Sequence, residues 1–324
     1  MLSIGSYTPE GRFFLAPMEG VTRTPFRVLC RRRGAALVTT DMIDADTFCG
    51  IADVRGVEQA IREQIDPCDE DALVIQLGGS DPTTLVRAAQ ILEEYAVIID
   101  LNAGCPTGKT FEKGGGCTLM KEPERLYRIV RALRRTLRKP FTVKLRKGWD
   151  SPQAVGIARE LESLGVDGIT IHPRTREQRY SDRADWAYAA DVKRAVRIPV
   201  TLSGDITDVR SAREASRISG CDYFMIGRAA RANPSIFEDL QSGIDTGKTA
   251  DRSERDFAEW YALCGHAPKR AELKERAIWT VSGAANAKEL KRAISTCDDP
   301  EAIRALVHEA RFPKRLKAHD PNHA

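Results

Sequence analysis

Eight short apolar, β-branched runs punctuate this chain: 13–17, 36–43, 73–78, 97–104, 141–146, 167–172, 199–204 and 223–228, with helical patterns between them. Continuous apolar strands alternating with helices imply a parallel sheet covered on its outer side. Eight such units is the number that closes an α/β chain into a (β/α)8 TIM barrel. A doubly wound open sheet is the alternative. Such a barrel takes about 250 residues, so a chain of 324 residues has room for a second unit. The expected division is a barrel over residues 1–240 and a helical domain over 241–324. Residues 241–256 are polar and contain glycines, as a linker would. Helical periodicity returns in Phe257–Leu263, Leu273–Val281, Ala287–Ile294 and Ala302–Val307, and the polar end Lys314–Ala324 is expected to fray.

Polar residues gather where a barrel places its chemistry. Met18, Glu19, Gln76, Asn102, Lys144, His172, Ser203, Gly204, Asp205, Gly227 and Arg228 all lie at or just past the C-terminal ends of their runs. Burying so many polar groups at one rim costs free energy unless a polar ligand or water satisfies them. Ser203-Gly204-Asp205 and Gly227-Arg228 follow the seventh and eighth runs, whose loops are the usual phosphate cradle of this barrel, so a phosphorylated cofactor fits there. Lys144 sits between apolar residues of a strand, where a charge is rare unless it points into the mouth; there it can stabilise an anionic reduced flavin ring. His172 can donate to the same ring or to a substrate carbonyl, although taken without its neighbours it reads first as a histidine satisfied at a strand end.

Asn102-Ala103-Gly104-Cys105-Pro106 puts a thiol at the tip of the fourth run, ahead of Gly114-Gly115-Gly116. An isolated cysteine is more often a small buried hydrophobe. Here Asn102 offers an amide to a carbonyl or imide, Gly104 admits close approach, and Pro106 turns the chain away. The eight cysteines are scattered without a C-x-x-C pair, which suits reduced thiols and gives no metal or iron–sulfur framework. No G-x-G-x-x-G follows a strand, so a separate nicotinamide-binding domain is not expected.

The net charge of +4 announces no nucleic-acid partner, but its distribution is uneven. Arg125–Gly148 holds ten basic residues and no acidic one. Leu126, Ile129, Val130, Leu133 and Leu137 keep helical spacing, while Arg128, Arg131, Arg135 and Arg138 fall largely off that stripe, as either a solvated face or a phosphate-contacting surface. The helical tail is mixed in charge, with 15 Lys/Arg against 13 Asp/Glu. No apolar run approaches the roughly 18 residues that cross a bilayer, and Met1–Gly5 lacks the features of a signal peptide, so no membrane role and a cytoplasmic location are expected. Nothing indicates an obligate protein partner.

On these residues the chain resembles the tRNA-dihydrouridine synthases, flavin enzymes that reduce uridines in tRNA. Leu15–Thr22 is similar to the family's opening A-P-M motif, and Asn102–Pro106 to its N-x-G-C-P. His172-Pro173-Arg174-Thr175-Arg176-Glu177-Gln178, with Tyr180-Ser181 and Ala184-Asp185-Trp186, resembles its H-x-R-T-R-x-Q…Y-S…A-D-W segment. The resemblance implies FMN held by Pro17, Met18, Glu19, Gln76, Lys144, His172, Ser203, Gly204, Asp205, Gly227 and Arg228. It implies NADPH, or NADH, as reductant, Cys105 as proton donor to C5 of uracil, and a C-terminal helical domain that grips tRNA; Ala284–Leu290 echoes the family's pattern there. His172 and Arg174 would steady the developing enolate oxygen, Asn102 and Arg174 would contact substrate, and Arg128, Arg131 and Arg135 would hold the tRNA backbone. A thiol of ordinary pKa, about 8.5, is mostly protonated at neutral pH and suits an acid. Two residues depart from the family: Ser203 stands where asparagine is usual, and Pro173 follows the histidine where glycine is usual. The alternatives are a flavin barrel acting on free pyrimidines, as dihydroorotate and dihydropyrimidine dehydrogenases do, and a non-catalytic RNA-binding barrel.

Overall fold

The computed structural model describes residues 2–66, 71–179, 181–265 and 268–312; Tyr180, Cys68 and the polar end Lys314–Ala324 lie outside them. The strands are β1 (Phe13–Leu15), β2 (Leu37–Thr39), β3 (Ile43–Asp44), β4 (Leu73–Gly78), β5 (Ile98–Ala103), β6 (Phe141–Gly148), β7 (Gly168–Thr175), β8 (Val200–Ser203) and β9 (Tyr223–Ile226). All pair in parallel. β1 meets β9 with Phe14 opposite Met225, and β2 meets β4 with Val38 opposite Leu73, so the sheet closes. Because β2 and β3 both pair with β4 and together span one of the expected runs, this is an eight-stranded barrel with helices between the strands.

The second run, expected as one strand over 36–43, is broken at Thr40–Met42. Asp41 leaves the ladder because its carboxylate accepts from the backbone N–H groups of Gly20 (2.7 Å) and Thr22 (2.9 Å) and from the Thr22 hydroxyl (2.7 Å), fixing the loop after β1. β6 and β7 run further than expected. Their register slips between Arg146 opposite His172 and Gly148 opposite Thr175, and Pro173, which has no N–H to give a ladder, sits within that slip.

Side chains alternate across each strand. The outward set, including Ile75, Leu77, Ile99, Leu101, Val143 and Leu145, packs on the helices in the main core. Inward, the strand-entry end is apolar: Phe14, Leu37, Val74, Ile98 and Tyr223 close around Ile4, which a short Ile4–Tyr7 bridge holds in place. Towards the strands' C-terminal ends the inward residues turn polar, with Gln76, Asp100, Asn102, Lys144, His172 and Ser203.

In the C-terminal part the helices are Ala250–Leu263, Arg270–Val281, Ala287–Thr296 and Pro300–His308. The expected linker over 241–256 shortens to a few residues after Gly243, because the first helix begins at Ala250 with the Thr249 hydroxyl accepting from Arg252 N. Arg252 and Asp256 read as linker because they are charged, yet both face the barrel. Arg252 reaches Asp239 (2.9 Å), and buried Asp256 pairs with Arg33 (2.7 Å) from the helix end after β1. Phe26, Leu29 and Cys30 of that barrel helix are buried, and the Arg276 guanidinium lies 4.9 Å from the Phe26 ring. A chain ending at residue 240 would expose this seam. It is therefore expected to accumulate in insoluble form, measured as the soluble fraction after expression; a soluble barrel that still binds flavin would show the seam to be dispensable.

Among the described residues no helix is long and apolar enough to cross a membrane.

Candidate active site

Gln76, Asp100, Asn102 and Thr142 form one connected hydrogen-bonded set beneath the barrel mouth. Asp100 accepts from the Thr142 hydroxyl (2.6 Å) and from Gln76 Nε2 (2.7 Å), and Asn102 Nδ2 donates to Gln76 Oε1 (2.7 Å). The Asn102 carbonyl oxygen then accepts the N–H groups of Gly104 (3.0 Å) and Cys105 (2.8 Å), folding the chain back at the strand end. Burial raises Asp100 to about 6 against the opposing hydrogen bonds of Thr142 and Gln76.

Cys105 is half-buried, with its thiol 3.2 Å from the Thr107 carbonyl. The glycines downstream are required by proximity: a Cβ on Gly116 (φ +58°) would lie 2.6 Å from the Cys105 carbonyl oxygen, which already accepts from Cys117 N at 2.9 Å. Cys117 itself is fully buried, and burial pushes its thiol up to about 11. Behind the loop lies Arg146, buried and unremarked in the sequence beyond its place in the basic run. Its Nε donates to the Gly104 carbonyl (2.8 Å) and its Nη1 to the Thr175 carbonyl (2.9 Å), tying the ends of β5, β6 and β7 together.

At the C-terminal ends of the strands opens a cavity of about 590 Å³, within the range of about 300–1,000 Å³ usual for small-molecule sites; Cys105 does not line it, but acts electrostatically on Lys144, which does. Pro17, Met18, Lys144, His172, Ser203, Gly204, Asp205, Gly227 and Arg228 all line it. Asn233 and Lys248 line it too, and only the tertiary fold reveals them, since neither follows a strand. Gln76 is buried in the network below. Glu19 is exposed and lines a neighbouring cleft with Arg23 and Lys269.

Lys144 has no hydrogen-bond acceptor on its Nζ among the described residues, and burial, then Arg146, lowers it to about 8. A cation so placed favours an anionic ligand. His172 is neutral: burial, then Lys144, Arg146, Arg174 and Arg228, hold it well below its ordinary value. A guanidinium only donates, so Arg174 Nη1, 3.1 Å away, gives its hydrogen to Nε2 and leaves the ring's own proton on Nδ1. Arg174 does not reach the mouth. It is buried, donating also to the Asp182 carbonyl and to Asp205 (2.5 Å), whose other oxygen accepts from Arg228 (3.1 Å). Gly204 at φ +128° and Asp205 at φ +57° make the turn that aims this carboxylate inward. A Cβ on Gly204 would meet the His172 ring at 3.2 Å.

The basic helix lies elsewhere. Pro123–Thr136 buries Leu126, Ile129, Val130 and Leu133 and exposes Arg128, Arg131 and Arg135. It runs from the mouth, where Arg125 donates to the Ser80 carbonyl, down to the strand-entry end, where Arg134 pairs with Asp167 (2.9 Å). The three exposed arginines therefore descend the outer wall and are not brought together with the cavity; Arg131 lies 3.6 Å from Glu160.

A family model described as Dihydrouridine synthase (Dus) matches residues 14–317. A probable tRNA-dihydrouridine synthase of Rickettsia conorii is 33% identical over 95% of this chain and 96% of its own length. tRNA-dihydrouridine synthase B of Xanthomonas campestris is 32% identical and that of Pseudomonas aeruginosa 31%, each over 95% of both chains. Among solved structures, a morphinone reductase mutant in complex with tetrahydroNAD is 13% identical with a TM-score of 0.53, covering 78% of this chain and 92% of that one. A 2-naphthoyl-CoA reductase complex is 12% identical with a TM-score of 0.54, covering 88% and 58%. These two likenesses concern the barrel fold.

Proposed function

The chain belongs to the dihydrouridine synthase family, and we propose that it reduces the C5–C6 double bond of uridines in tRNA, using FMN with NADPH or NADH as reductant and Cys105 as the proton donor. The observation that carries this reading is the partly exposed Cys105 thiol, on a loop held by Asn102 and close enough to Lys144 for the two to interact electrostatically, Lys144 lining a cavity that also presents Arg228 and Lys248. A tRNA substrate supports a cytoplasmic location.

The residues present fit a flavin mononucleotide. Arg228, Gly227 and Gly204 suit a phosphate, Lys144 has no acceptor among the described residues and suits an electron-rich ring edge, and Ala16, Met18 and Met225 supply apolar contact. When bound, FMN supplies the hydride that goes to C6 of uracil. Cys105 donates its proton at C5 from the Sγ, and afterwards regains one from solvent through its exposed side. His172, neutral and with its proton on Nδ1, orients a hydrogen bond to ring or substrate, while Arg174 acts behind it by holding His172 and Asp205 in place. Asn102 has both ends of its amide engaged in positioning the Cys105 loop.

Lys144→Met is expected to weaken FMN binding roughly ten- to a hundredfold, the loss of a charge-assisted contact. The sign with pH follows from its pKa. Below about 8 the ammonium is present to donate a charge-assisted hydrogen bond to the electron-rich ring edge, and above about 8 it is lost, so FMN affinity falls as pH rises through that range and Lys144→Met abolishes the dependence. Fluorescence titration of FMN between pH 7 and 9 measures both. The activity is tested by mass spectrometry of dihydrouridine in tRNA incubated with the purified protein and NADPH. No dihydrouridine, with reduction of free pyrimidines instead, would transfer the assignment to a small-molecule dehydrogenase.

A further inference from the structure

Three loops leaving adjacent strands converge on the Cys105 side of the mouth, opposite the phosphate-suited end. Phe111 lies in the short helix Lys109–Glu112 after β5, Trp149 directly follows β6, and Arg176 directly follows β7. The two rings are 11° from parallel with centroids 6.1 Å apart, a stacked pair at the long end of the aromatic range. The Arg176 guanidinium lies over the Trp149 ring at 5.0 Å from its centroid and over Phe111 at 5.6 Å, and Lys121 Nζ lies over Trp149 at 5.4 Å. Among the described residues neither Arg176 nor Lys121 has a carboxylate partner, and the buried Nε of Arg176 has no hydrogen-bond partner. Arg176 N is fixed to the carbonyls of Gly148 and Trp149, both at 3.0 Å, so the cation and the indole move as one unit.

Both rings are half-exposed, and a core does not need them there. Aromatic rings with cations over them, and no carboxylate partner for those cations among the described residues, match a single-stranded nucleic acid, whose bases stack on rings and guanidinium planes and whose phosphates meet the charges. Resting on the reading that tRNA uridine is the substrate, a second consideration identifies which nucleotide is held. A uridine turned out of the stack to reach Cys105 leaves its neighbour without a stacking partner, and a surface on the same rim replaces that contact. We propose that Phe111 and Trp149, with Arg176 and Lys121 beside them, form a stacking surface for the nucleotide flanking the target uridine.

The test is equilibrium binding of unmodified tRNA to the flavin-loaded protein at several salt concentrations, with flavin content measured on each variant. Trp149→Leu and Phe111→Leu are expected to weaken binding roughly tenfold, as removal of one base–aromatic stack does, with the salt slope unchanged. Trp149→Phe should stay within about threefold. Lys121→Ala should lower the slope by about 0.7 to 0.9, one phosphate contact. If Trp149→Leu loses its flavin, Phe111→Leu on the loop surface decides. Undiminished affinity in Phe111→Leu, or in a flavin-loaded Trp149→Leu, overturns the proposal. Dihydrouridine formed by the unsubstituted protein is read on the same tRNA: its absence counts against the substrate assignment, whereas its presence with undiminished variant affinity counts against the stacking surface alone.

Discussion

Cys105→Ala is expected to purify with its flavin, to be reduced by NADPH at the unsubstituted rate, and to pass those reducing equivalents to tRNA uridine roughly 10²- to 10⁴-fold more slowly, the usual contribution of a positioned acid. The separation of effects follows from the geometry. Among the described residues the thiol's hydrogen bond is to the Thr107 carbonyl, and the loop is held by its backbone, through Asn102 to Cys105 N and from Cys105 O to Cys117 N. Removing Sγ therefore leaves the loop and the neighbouring cavity in place. No second thiol takes over, because Cys117 is fully buried and raised to about 11 by that burial. Single-turnover kinetics with pre-reduced enzyme measure the step directly. An unchanged rate there would remove Cys105 from the chemistry.

Arg33→Met is expected to cost about 3 kcal/mol of stability, the scale on which a buried ion pair loses one partner. Arg33 reaches Asp256 at 2.7 Å and Glu259 at 2.5 Å, and the Asp256 side chain is only 2% exposed. The variant leaves that carboxylate in the seam between barrel and helical segment without its principal cation, although the Ser235 hydroxyl (2.6 Å) and Arg255 (3.2 Å) still reach it. Arg87→Met, which removes an exposed pair with Asp53, is the control and should change stability by less than about 1 kcal/mol. Urea unfolding midpoints compare the two, and equal midpoints would show that Arg33 does not hold the seam.

The parts of this molecule legible in its sequence are those that depend on neighbours along the chain. Strand periodicity marked eight barrel strands, and Asn102 and Cys105 stood out because they are only three positions apart in the chain. Residues whose meaning depends on register between strands were not legible. Gln76 and Asp100 become a pair only because β4 and β5 align them directly opposite one another. Arg146 looked like one more charge in a basic run, and the carbonyls it binds come from β5 and from the end of β7. Arg174 was read as a substrate contact from its place in a motif, while its buried guanidinium is committed to His172, Asp182 and Asp205. Arg252 and Asp256 resembled linker because composition cannot distinguish a charge facing water from a charge facing an opposite charge.

The closure of the barrel has a consequence for the order of events during synthesis. β1 is completed by residue 15, yet its partner β9 begins only at Tyr223. While the chain leaves the ribosome, everything between exists as an open sheet with an unpaired parallel edge, the kind of intermediate that folds slowly and is prone to aggregate. Lys144 and Cys105 are already made at that stage, but the Gly227-Arg228 end of the cavity is not, so a nascent chain cannot capture its cofactor early. The cofactor site and the last barrel strand arrive together, and Arg33 waits longer still, until Asp256 emerges.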